Sequence, residues 1–122
     1  MGVFQSIFPY TQTVLQEYPL MDESAVDAAL HVAENGFAAW RNMDYSERAI
    51  VFRNAAGILR KNKEQYALLI THEMGKVLPE SMGEVEKCAW VCEYYADHAE
   101  SFLQEELIDA GYQKSFVTYQ PI

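Results

Sequence analysis

The stretch Pro79–Phe102, PESMGEVEKCAWVCEYYADHAESF, decides the fold of this chain. Val85, Cys88, Ala89, Cys92, Tyr95, Ala96, Ala99 and Phe102 recur by threes and fours, so they form one continuous stripe on an α-helix. Glu80, Glu84, Glu86, Glu93, Asp97 and Glu100 fall largely outside it. Pro79 suits the first turn, where a missing N–H costs nothing. Glu80 and Glu84 sit near the positive end of the helix dipole. A helix this long, with one apolar stripe, needs other elements along its length.

Upstream, the same period recurs three times. Asn62 followed by Gln65 predicts a capped helix that carries Tyr66, Leu69 and Ile70 on its apolar side and stops at Gly75 in a left-handed conformation. Asp44 and Glu47 have capping-box spacing, which predicts a helix turning Ala49, Ile50, Phe52, Ala56 and Leu59 inward. Arg48, Arg53, Arg60 and Lys61 are then available to solvent. A first helix is predicted with Asp22 as N-cap and Ser24 as the competing choice. Its stripe is Val26, Ala29, Leu30, Ala33, Phe37 and Trp40. Residues 5–20 read as strand, turn and strand about Pro9-Tyr10-Thr11-Gln12, because proline suits a turn and the flanking β-branched and aromatic residues suit a pleated surface. Downstream, residues 104–113 read as a loop with Gly111 at a turn, and Ser115–Tyr119 as a strand ending at Pro121. A final strand with no later partner is expected to belong to something longer. The predicted class is mainly α, about four helices, with an N-terminal β-hairpin and a C-terminal strand. The segments are 1–21 (hairpin), 22–103 (helices) and 104–122 (loop and strand).

At 122 residues, half of them hydrophobic, the chain is long enough for one globular unit or part of one. No apolar run approaches the ~20 residues needed to span a bilayer. The opening Met-Gly-Val-Phe-Gln-Ser lacks the basic and apolar regions of a secretory signal, and Gly2 with Ser6 makes only a loose myristoylation pattern. Eighteen acidic residues against nine basic ones give a net charge of −9, which disfavours phosphate backbones and anionic lipid. Neither a nucleic-acid nor a membrane partner is therefore expected. Two cysteines cannot make a disulfide framework, so a reducing, cytoplasmic setting is the expectation.

Each candidate for chemistry has a simpler reading. Cys88 and Cys92 lie four apart on one helix face, but zinc wants four ligands and His98 lies six residues further on, aimed elsewhere. Their apolar, acidic surroundings do not favour a thiolate, so both are expected in the core. His31, His72 and His98 are scattered; His72 and Glu73 are adjacent on a helix and point in different directions. Trp40, Trp90, Tyr94 and Tyr95 lack the basic groove of a base-stacking platform and are expected as core and interface residues. All six glycines are isolated, so no phosphate cradle is present. No catalytic, cofactor-binding or metal-binding residue is assigned. Besides an enzyme segment, the residues leave open a free-standing acidic helical module that binds a protein partner, and a metal- or redox-responsive helix using Cys88 and Cys92.

The run Glu73-Met74-Gly75-Lys76, then Pro79-Glu80 and Gly83-Glu84-Val85-Glu86-Lys87-Cys88-Ala89, resembles the N-terminal region of NAD(P)-dependent aldehyde dehydrogenases. Trp90-Val91-Cys92-Glu93-Tyr94-Tyr95-Ala96 is similar to the succinate-semialdehyde dehydrogenase-like members. Ser6-Ile7-Phe8-Pro9-Tyr10-Thr11 resembles the family's opening strand, with Phe8 in place of the usual Asn and Gln12 in place of Gly. Val26–Leu30, Phe37–Trp40 and Glu47–Ala49 match the family's rhythm. Val117–Ile122 resembles the strand before its Gly-Val-Val segment. The resemblance implies a partial α/β aldehyde dehydrogenase fold. It also implies a parent that oxidises an aldehyde through a thiohemiacetal on a cysteine, with hydride passing to NAD or NADP. The family's Asn, nucleotide-binding turn, glutamate and nucleophile all fall beyond Ile122, and Cys88 and Cys92 match structural helix positions. The expectation is an N-terminal segment that binds no cofactor and is inactive alone. Its partners are the remainder of the parent and further copies in a homo-oligomer. Residues 22–103 would flank the nucleotide-binding domain, and 104–122 would begin the oligomerisation arm.

Overall fold

A computed structural model describes residues 2–111 and 114–122. Strands β1 (Val3–Phe8) and β2 (Thr13–Pro19) form an antiparallel hairpin, with a bulge between Ser6 and Ile7. Gln12 closes the turn at φ 60°, and its side-chain amide donates to the Pro9 carbonyl at 2.7 Å. Four helices follow: α1 (Glu23–Trp40), α2 (Tyr45–Lys61), α3 (Lys63–Met74) and α4 (Leu78–Leu103). The hairpin docks on the end of α3. Phe8 lies over His72 at 5.4 Å, and the Ser6 hydroxyl donates to Glu73 at 2.7 Å.

The helix ends follow their capping chemistry. The Asp22 carboxylate accepts from the Ala25 backbone and from the Ser24 hydroxyl, each at 2.8 Å, so both candidate residues take part. These two donors, the backbone amide first, hold the Asp22 pKa below its ordinary value. Asp44 and Glu47 form the predicted capping box. Gly75 stops α3 at φ 71°. A methyl group there would also stand 3.1 Å from Pro9. Asn62 is placed at the predicted boundary but does not cap by its side chain, whose amide donates backward to the Ile58 carbonyl at 3.0 Å.

The core is a seam of small residues where α2 and α3 cross α4. Ala49, Ala56, Ala67, Val85 and Ala89 are buried. Ser81 is buried too, its hydroxyl satisfied by Thr71 at 3.0 Å. Small side chains let helix backbones approach closely, so the larger apolar residues flank the seam. Several expectations fail on this account. Ile50 and Leu69 are exposed, Tyr95 and Phe102 are about half exposed, and Cys88 faces solvent while Cys92 is half-buried. Helix α1 has no buried residue, against the expectation that its stripe faces inward. The predicted loop 104–113 contains strand β3 (Glu106–Leu107), which pairs antiparallel with β4 (Phe116–Val117). The last strand therefore finds its partner earlier in the chain, and it is shorter than Ser115–Tyr119. Gly111 adopts φ 73°, as a turn there requires.

The accessible surface of the described structure is 9822 Å². A compact monomer of this mass would expose about 6,700 Å². The excess is large, and exposed apolar side chains contribute to it on all four helices and on both hairpins.

Candidate functional site

Two features unite side chains from different helices: a polar ladder between α2, α3 and α4, and an apolar hollow at one end of the α2–α4 pair. In the ladder, Arg60 donates to Glu86 at 2.8 Å and makes a two-pronged contact with Glu93. Lys63 donates to the other oxygen of Glu86 at 3.0 Å. Further toward the hollow, Arg53 pairs with Asp97 at 2.6 Å. Hydrogen bonds from Arg60 hold Glu93 and Glu86 below the ordinary carboxylate range, Lys63 adding to the effect on Glu86. The same contacts, Glu93 first, raise the Arg60 pKa. Arg53 and Arg60 are exposed, as expected, and they also tie two helices together. Every charge in the ladder is matched, so it offers no free acid or base.

The hollow has a volume of about 280 Å³, and its walls include Trp40, Tyr45, Arg48, Phe52, Tyr95 and Leu103. The Arg48 guanidinium lies 5.8 Å from the Trp40 ring centre and 5.3 Å from that of Tyr45, and donates to the Arg41 carbonyl at 3.2 Å. Its Nε is buried without a hydrogen-bond partner. Because that atom is covered, it cannot meet a ligand unless the rings move. The hollow can take apolar bulk; it holds no nucleophile and no second charged group.

The cysteines and histidines that the sequence singles out are not brought together with one another. Cys88 and Cys92 are free thiols, and among the described residues no three metal-capable side chains converge. His31 is exposed beside Glu34 at 3.8 Å. His72 packs on Phe8, while its neighbour Glu73 is engaged by Ser6. His98 shares its Nδ1 with the Tyr94 carbonyl at 2.8 Å and stacks on the Tyr94 ring at 4.4 Å. With Trp90 and Phe102 these make an aromatic row along the outer face of α4. The i, i+4 spacing of 90, 94, 98 and 102 signals that row in the sequence. The Arg48–Trp40 contact and the Arg53–Asp97 pair carry no such local signal, because their partners lie on other helices.

This is a helical unit with appended hairpins that supports apolar packing and assembles no reaction centre among the described residues. Its class is that of a mainly α unit of four helices flanked by two short β-hairpins. Residues 2–122 match the aldehyde dehydrogenase family, and the chain belongs to it. It is 37% identical over 117 residues to a protein of Synechocystis sp. named a probable succinate-semialdehyde dehydrogenase (NADP(+)), covering 96% of this chain and 26% of that one. The succinate semialdehyde dehydrogenase (NAD(P)+) Sad of Escherichia coli K12 is 33% identical, over 96% of this chain and 25% of its own. The solved succinic semialdehyde dehydrogenase of Streptococcus pyogenes, in complex with NADP+, superposes with a TM-score of 0.86 at 33% identity, over 94% of this chain and 26% of that one. The chain thus spans about a quarter of the length of the curated relatives it matches. No helix among the described residues is long and apolar enough to cross a membrane.

Proposed function

We propose that this chain is the N-terminal, non-catalytic segment of an aldehyde dehydrogenase whose complete form oxidises succinate semialdehyde to the carboxylic acid with NAD or NADP in the cytoplasm. The single observation behind this reading is the family match along residues 2–122, which takes up only about a quarter of each relative. The site supports it by what it contains: matched ion pairs and apolar walls. In this reading residues 1–21 form an edge hairpin. Residues 22–103 flank the nucleotide-binding domain, and 104–122 lead into the arm through which subunits associate. The remainder of the parent enzyme and further copies of it are the partners. Catalysis, the nucleotide and the oxyanion donors belong to that remainder. The chain's contribution is a rigid surface on which it folds.

The test is a fusion of residues 1–122 to the complementary three quarters of the Synechocystis relative. The fusion is expected to reduce NADP when given succinate semialdehyde, whereas the chain alone produces no aldehyde-dependent reduction. Turnover by the chain alone would overturn the reading. So would a soluble, folded fusion that binds NADP and yet does not turn over, since the segment would then not be interchangeable with its counterpart.

A further inference from the structure

We draw no further inference here: the strongest candidate, the apolar hollow that Trp40, Arg48, Phe52 and Tyr95 wall at one end of the α2–α4 pair, belongs to the site already described, and nothing in the structure shows what covers it.

Discussion

Arg60 shows how much of the tertiary structure hangs on single side chains that look solvated in the sequence. It holds Glu86 and Glu93 of α4 from α2 and lowers the pKa of both. A carboxylate whose folded pKa is depressed contributes stability that is complete above its unfolded value, near 4.5, and is lost as pH falls through the lower folded value. The melting temperature of the chain should therefore drop on acidification below about pH 4.5, and Arg60→Gln should flatten that dependence. An unchanged pH profile in the variant would show that the ion pairs contribute nothing. Gly75 makes a second case at this scale. Its φ of 71° and the 3.1 Å approach to Pro9 make Gly75→Ala unfavourable by about 1–2 kcal/mol, measurable by urea unfolding. The glycine is legible from its place after an apolar run. Its contact with Pro9 is not, since nothing local ties residue 75 to residue 9.

At the scale of elements, the helices are legible because capping chemistry and a 3.6-residue period are written within a few neighbouring residues. The Asp44–Glu47 box is the clearest example, and Asp44→Ala should cost about 1 kcal/mol by loss of the cap, read from the shift in urea midpoint. What the period leaves undecided is which part of a wide apolar stripe touches another helix. In α2 the stripe runs through Ala49, Ile50, Phe52 and Ala56, yet only the two alanines are buried. The seam is built on small residues, so size and not hydrophobicity chooses the contact line. Ala56→Leu should consequently destabilise the chain by roughly 1–3 kcal/mol through overpacking, despite being a more apolar residue. Ile50→Ala, at an exposed position, should change stability little. Equal effects of the two would mean the helices cross elsewhere. Strand β4 lies within the strand read at Ser115–Tyr119, but its partner β3 is illegible for a related reason: a two-residue strand inside an apparent loop has no periodicity to read.

For the whole molecule, the decisive quantity is surface. The structure exposes 9822 Å² where a compact chain of its mass exposes about 6,700 Å². Apolar side chains such as Val26, Leu30, Trp90 and Leu107 contribute to the excess, and each sits on an element with a free face. The side chains that the sequence offers for chemistry fall on these open helix faces or in matched ion pairs, and they assemble no reacting centre among the described residues. The same quantity governs how the chain unfolds. The denaturant slope scales with the area newly exposed on unfolding, and this chain buries about a quarter less than a compact one of equal length. As a dilute monomer, it should unfold in urea with a slope lower by about that fraction, and over a correspondingly broad transition. Joining it to the complementary part of a relative should sharpen the transition as α1 and the α4 face become covered. A steep, cooperative transition in the isolated monomer would mean these faces close on one another in solution, and the chain would then be a self-sufficient domain.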